Sequence, residues 1–174
     1  MKTECSDQIS GKKAAAKRAL NFVQTNMILG LGTGSTATFF LELLARKIRD
    51  EGLNIVGVAT SLATFEKSQE LKIPLLTMEK VQKIDLVVDG ADEFDQNFNL
   101  IKGGGGALLQ EKIVARSSSQ MIVITDYSKE VDCLGRFPLP VEIVKFGATF
   151  TAKQIGILLS DLGFNGTQLN FRKK

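Results

Sequence analysis

Short apolar runs that end in glycine, hydroxyl or carboxylate residues alternate along this chain with helix-patterned stretches, and this alternation limits the fold more than any other feature. Met27–Leu31 runs into Gly32-Thr33-Gly34-Ser35-Thr36, and a helical pattern follows through Phe39, Phe40, Leu43, Leu44 and Ile48. Asn54–Ala59 ends in Thr60-Ser61 and leads to a helix over Leu62–Leu71, closed by Pro74. Ile84–Val88 ends in Asp89-Gly90-Ala91-Asp92-Glu93; four glycines, Gly103–Gly106, then open a helix over Ala107–Arg116. Met121–Thr125 ends at Asp126. Apolar strands alternating with helices predict an α/β fold, an open and mostly parallel sheet with helices on both faces. In such a sheet ligands bind beyond the carboxyl ends of the strands, where the polar residues collect here. A first helix is expected over Ser10–Val23, capped by Ser10, and a last one over Ala152–Leu162, stopped by Gly163. Pro138 and Pro140 bracket a turn into an extended Val141–Val144.

Three motifs carry chemistry. In Gly30-Leu31-Gly32-Thr33-Gly34-Ser35-Thr36-Ala37 the glycines let backbone approach a ligand, and the helix that follows starts with free N–H groups suited to a phosphate. Thr33, Ser35 and Thr36 add hydroxyls. Gly32-x-Gly34-x-x-Ala37 fits the dinucleotide fingerprint, but the second strand ends in Thr60-Ser61 without the ribose-binding acid, and the loop lacks a P-loop lysine. A small phosphate ester is favoured over a nucleotide. In the second motif, Asp89, Asp92 and Glu93 crowd three carboxylates onto a strand end, at a cost in repulsion and desolvation that points to a function. Sugar hydroxyls, proton transfer or a magnesium ion all suit such a cluster. In the third, Lys102 precedes Gly103-Gly104-Gly105-Gly106, a run whose amides can surround an oxyanion, and Glu111 lies in the first turns of the next helix, able to lean back toward it.

Composition removes other chemistries. The 174 residues contain no histidine and two cysteines, Cys5 and Cys133. A Ser-His-Asp triad and a His-ligated zinc are therefore ruled out, and acid–base work falls to Asp, Glu, Lys, Tyr or Cys. The cysteines read as free thiols of a reducing compartment, with Cys133 assigned to packing. Met1–Leu20 is polar and Lys/Ala-rich, unlike a secretion signal, and no apolar run has the length of a membrane span. The net charge of +3 and the lack of aromatics within the basic patch Lys12, Lys13, Lys17 and Arg18 argue against nucleic acid.

Taken in order and spacing, Gly32–Thr36, Asp89–Glu93, Lys102–Gly105, Glu111-Lys112 and Gly135-Arg136-Phe137-Pro138-Leu139-Pro140-Val141-Glu142 resemble ribose-5-phosphate isomerase of the A type. The resemblance runs from Lys12 to Val144 and more loosely to Gly163. It implies a Rossmann-like catalytic domain over 1–147 and, over 148–174, the start of a small α+β lid of which the chain covers only the beginning. It implies interconversion of D-ribose 5-phosphate and D-ribulose 5-phosphate through an enediolate, in the non-oxidative pentose phosphate pathway, without metal or organic cofactor. Glu111 corresponds to the general base. Asp89 and Asp92, with Gly90 and Ala91 between them, correspond to sugar-contacting positions, Asp89 being a candidate for ring opening. Lys102 and the amides of Gly103, Gly104 and Gly105 match the group that supports the developing oxyanion. Thr33, Gly34, Ser35 and Thr36 match the substrate loop, and Lys129 and Lys12 match lysines near the phosphate. A cytoplasmic homo-oligomer, dimer or tetramer, is implied as well. Burial and Asp89 push the Glu111 pKa up whereas Lys102 pulls it down, so geometry decides the balance. The competing reading is a non-catalytic sugar-phosphate sensor of related fold, which keeps the phosphate loop and needs no base.

Overall fold

The computed structural model describes residues 3–172, with side chains from Ser6 onward. The thiol expected at Cys5 lies outside the described side chains. Two compact units divide the chain, Met1–Pro140 and Val141–Lys174.

The first unit is built on a four-stranded parallel sheet in the order β2-β1-β3-β6. Its strands are β1 (Ile28–Leu31), β2 (Val56–Ala59), β3 (Ile84–Asp89) and β6 (Ser118–Val123). Helices α1 (Thr3–Ala19), α2 (Ser35–Glu51), α3 (Leu62–Glu70) and α4 (Leu108–Arg116) alternate with them. A two-stranded antiparallel hairpin, β4 (Glu93–Phe94) and β5 (Leu100–Ile101), lies between β3 and α4 in sequence.

Side-chain alternation sorts the two faces of the sheet. Leu29 and Leu31 of β1 and Leu86 and Val88 of β3 join a core with Ala16 and Ala19 of α1 and Phe40, Leu41 and Leu44 of α2. On the other face Val58 and Val87 pack with Val114 of α4. Gly30 sits on this second face because a Cβ there would lie 2.6 Å from Val114 Cγ1 and 2.7 Å from Val87 Cγ2. Helix α2 buries Thr36, Ala37, Phe40, Leu41, Leu44 and Ala45, one stripe at helical spacing, and ends at Gly52 in the left-handed region, φ 68°. Phe40 is fully buried, and truncating such a ring to Ala costs about 3–5 kcal/mol.

The chain leaves β1 for β2 on one side and returns to β3 on the other. The carboxyl ends of β1 and β3 therefore flank a switch point, the crevice where such sheets take ligands. This brings the Gly32–Ser35 loop beside the Asp89–Glu93 loop, 56 residues apart along the chain, as the Thr33–Asp89 hydrogen bond records.

Several expected boundaries move. Helix α1 starts at Thr3, so Ser10 lies within it and does not cap it. The last strand runs over Ser118–Val123 and not Met121–Thr125. Being outermost in the order and paired only with β3, it tolerates the polar Ser118, Ser119 and Gln120. Cys133 is exposed and free, contrary to its assignment to packing.

In the second unit, Val141–Val144 forms no ladder, and α5 (Ala148–Asp161) begins one turn before the expected Ala152. Its C-terminus is closed by Gly163 at φ 88°, with the N–H groups of Gly163 and Phe164 bonded to Ser160 O and Leu159 O. Among the described residues no helix is long and apolar enough to cross a membrane.

Candidate active site

Asp89 ends β3 as a charge that the fold has enclosed, only 1% exposed. Its Oδ1 accepts the backbone N–H of Thr33 at 3.1 Å and of Gly90 at 2.7 Å. Its Oδ2 lies 3.1 Å from the Lys102 ammonium. Gly32 makes this possible: a Cβ there would stand 2.3 Å from Asp89 Oδ1 and 2.5 Å from Asp89 Cα. The glycine of the first motif is thus a contact requirement of the second. Asp89 lies beneath the cleft, whereas Gly90, Ala91 and Asp92 line it.

Lys102, one residue beyond β5, draws three acceptors together. It donates to Gly90 O at 2.6 Å and forms ion pairs with Asp89 and, at 3.5 Å, with Glu111 Oε1. Glu111 projects from the first turn of α4 and is 5% exposed. Its Oε2 is buried without a hydrogen-bond partner. Burial, reinforced by the Asp89 charge, raises its pKa above the usual carboxylate value; Lys102 opposes the rise without cancelling it. A carboxylate with one oxygen beside a cation and the other unpartnered is equipped to accept a proton.

The glycine run is shaped around these groups. Gly103 adopts φ 105°, a conformation that favours glycine. Gly104 donates its N–H to Asp92 Oδ2 at 2.7 Å, and a Cβ at Gly104 would fall 2.4 Å from Asp92 Oδ1. Gly103 and Gly105 line the cleft, while Gly104 faces Asp92.

At the other end of the cleft, α2 presents its N-terminus with Gly34 as cap residue at φ 111° and no side-chain cap. Thr33, Gly34, Ser35 and Thr36 line the cleft here. Lys12, from the third turn of α1, donates to Ser35 Oγ at 3.0 Å, and Lys129 lines the same cleft. Two cations, hydroxyls and a helix N-terminus gather here, an arrangement whose charge and donors suit a phosphate. The cleft measures about 150 Å³. A wider hollow of about 520 Å³, open to solvent beside Tyr127 and Arg136, holds none of these residues and no comparable grouping.

The fold therefore brings the residues expected from sequence into one cleft, with Asp89 and Gly104 just behind its lining. Two further groups emerge. Thr33 Oγ1 meets the hydroxyls of Thr60, Ser61 and Thr64 at 2.8, 2.8 and 3.2 Å. Thr60 and Thr64 in turn donate to Leu31 O and Gly32 O, fixing the backbone of the turn. Thr64 was not foreseen; its signal is a hydroxyl one helical turn beyond Thr60-Ser61. Glu93, 1% exposed, accepts N–H groups from Gly135 and Phe137. No grouping of three or more metal-ligating side chains occurs among the described residues.

Residues 56–174 match the family model of ribose 5-phosphate isomerase A (phosphoriboisomerase A). Ribose-5-phosphate isomerase A of Cereibacter sphaeroides (strain ATCC 17025) is 52% identical over 173 residues, which are 99% of this chain and 69% of that protein. The ribose 5-phosphate isomerase structure from Plasmodium falciparum superposes with a TM-score of 0.87 at 44% identity, covering 95% of this chain and 71% of that one. A D-ribose-5-phosphate isomerase solved in complex with phospho-erythronic acid gives a TM-score of 0.81 at 41% identity, covering 85% and 66%. The chain thus spans about two thirds of the length of these relatives.

Proposed function

The chain belongs to the ribose 5-phosphate isomerase A family, and from that premise we propose that its cleft interconverts D-ribose 5-phosphate and D-ribulose 5-phosphate through an enediolate. The observation that carries the proposal is Glu111, a buried carboxylate whose Oε2 has no partner and whose Oε1 lies 3.5 Å from Lys102. A sugar-phosphate sensor has no need of such a base.

The steps follow from the groups available. The α2 N-terminus, Ser35, Lys12 and Lys129 hold the phosphate. Glu111 takes the proton from C2 of the open-chain aldose. The C2–H electron pair forms the C1=C2 bond, and the C1 carbonyl pair moves onto O1. Lys102 and the Gly103–Gly105 loop stabilise the charge that develops there. O1 then gains a proton and O2 loses one. As C2=O forms, Glu111 returns its proton to C1, so one carboxylate serves both transfers. Asp92 holds the glycine loop and contacts sugar hydroxyls. Asp89 is assigned to positioning, since both its oxygens are engaged by Thr33, Gly90 and Lys102. The phospho-erythronic acid bound by a relative supports a phosphorylated sugar acid or its parent sugar as occupant. We further infer action in the cytoplasm, within the non-oxidative pentose phosphate pathway, as a homo-oligomer.

The test is ketose formation from ribose 5-phosphate in the presence of EDTA, run beside Glu111→Gln. The expected result is metal-independent turnover that falls by at least about 10²-fold in the variant, the scale of general acid–base catalysis, with little change in affinity for phospho-erythronic acid. Near-full activity in Glu111→Gln would remove the base assignment.

A further inference from the structure

Glu93 is a buried acid to which the isomerisation assigns no step. It stands on β4 and pairs antiparallel with Ile101, the residue before Lys102. Its side chain turns to a different part of the unit, where Oε2 accepts the Gly135 N–H at 2.8 Å and Oε1 accepts the Phe137 N–H. These donors, Gly135 foremost, hold its carboxyl below the usual carboxylate range despite burial. It therefore stays ionised at neutral pH. A further backbone link runs alongside: Val131 N–H donates to Phe94 O at 2.9 Å.

The segment that Glu93 grips reaches both ends of the cleft. In one direction, Arg136 donates to Ser128 O at 2.9 Å. Ser128 donates its N–H and hydroxyl to the buried Asp126 Oδ1, closing the Tyr127–Lys129 turn that carries Lys129. In the other direction, Pro140 lies against Gly103, its Cβ 3.1 Å from where a Gly103 Cβ would stand. A single carboxylate thus ties the strand pair that delivers Lys102 to the segment that braces both Lys129 and the glycine loop.

We propose that Glu93 is a positioning residue, a carboxylate clamp that sets the spacing between the phosphate-binding lysine Lys129 and the oxyanion-stabilising Lys102–Gly103 corner. The proposal rests on the isomerase reading of the cleft and adds to it a group that never touches substrate. Glutamine in its place offers one acceptor oxygen and sets an NH₂ against an N–H, so one of the two bonds is lost and the segment is released. Arg136 also lends its charge and backbone to Glu93, but its loss leaves the Gly135 and Phe137 bonds in place and removes the Ser128 contact outright, so it falls mainly on substrate affinity.

The experiment compares the wild-type chain with Glu93→Gln, Gly135→Ala and Arg136→Ala by isomerase kinetics, calorimetric binding of phospho-erythronic acid and thermal melting. Gly135 sits at φ 112° with open space where a Cβ would go, so alanine there strains the gripped turn without crowding. It loosens the clamp from the exposed side if Glu93→Gln fails to fold. The expected result is a kcat at least tenfold lower and a weaker affinity for phospho-erythronic acid in Glu93→Gln, with a smaller change of the same kind in Gly135→Ala. Arg136→Ala should raise KM by a larger factor than it lowers kcat. Folded Glu93→Gln with kcat and affinity both within twofold of wild type overturns the proposal. So does an Arg136→Ala variant whose loss falls on kcat alone. If the wild-type chain turns nothing over, the isomerase reading fails by itself; the clamp is then decided by binding, and unchanged affinity in Glu93→Gln refutes it.

Discussion

Replacing Gly32 by alanine tests the core of the site, because the added methyl has nowhere to go. The new Cβ would lie 2.3 Å from Asp89 Oδ1, 2.6 Å from Asp89 Cγ and 2.5 Å from Asp89 Cα. The last of these is strand backbone and cannot rotate away. Gly32 N–H also bonds to Val88 O at 2.9 Å, so β1 and β3 are tied where they must part. Forcing a methyl into a packed site costs about 1–3 kcal/mol. Displacing Asp89 also loosens the Thr33 N–H bond to a carboxylate, of a kind that contributes about 1.5–3 kcal/mol. The two together give about 2.5–6 kcal/mol, a large share of the roughly 5–15 kcal/mol that holds a domain folded. For a chain of this size that lowers Tm by about 5–24 °C. The control is Gly105→Ala, whose Cβ would approach nothing closer than Thr33 Cγ2 at 4.0 Å. Differential scanning calorimetry of both variants against wild type is the assay, with Gly105→Ala expected within about 2 °C of wild type. A Gly32→Ala protein that melts as close as its control would refute the claim that Asp89 needs a bare backbone at position 32.

The ionisable groups give further expectations. Burial, reinforced by the Asp89 charge, raises the Glu111 pKa above the ordinary carboxylate value of 4.5, so the ionised group destabilises the fold. That penalty is absent below pH 4.5, grows as pH rises toward the folded-state pKa and is constant above it. Glu111→Gln should therefore melt higher than wild type at pH 7, with the difference shrinking as pH falls through 4.5; melts across a pH series check this. Lys102→Met leaves Asp89 and Glu111 without their shared cation. Its kcat should fall about 10²–10³-fold, as when an oxyanion donor is removed, and the acid limb of its pH–rate profile should move to higher pH. Lys129→Ala removes a charged partner of the phosphate, so KM should rise about 10–100-fold from a bond of about 1.5–3 kcal/mol. That difference should narrow as salt is added in steady-state assays.

The layered fold could be read from residue pattern because strands buried on both faces and helices with one apolar stripe each leave their own period. Elements without that period escaped. The β4–β5 hairpin has two residues on each side and is closed by Asp95, whose side chain takes the N–H groups of Asn97 and Asn99. The opening of α1, Thr3 to Ser10, contains Ile9 as its one large aliphatic residue, so no stripe marked it. The site residues divide along a related line. Thr33–Thr36, Asp92 and Lys102 stand in short motifs legible by type and spacing, whereas Glu111 alone reads as a surface helical glutamate and stands out only through the family resemblance. Glu93 stood in such a motif too, but its importance lies in partners 42 and 44 residues away.

Asp89 shows why the residue type was legible and the environment was not. A carboxylate at a strand end reads as exposed and ligand-facing, and local spacing offers nothing against that. Its burial depends on the missing side chain at Gly32, a residue that sequence reading credits to phosphate approach. Once β1 and β3 lie side by side, that bare backbone makes room for a carboxylate that serves both loops, Oδ1 holding the Thr33 N–H and Oδ2 holding Lys102. On the proposed isomerisation, substrate affinity and proton transfer share one packing contact, and a substitution at that glycine should damage both together.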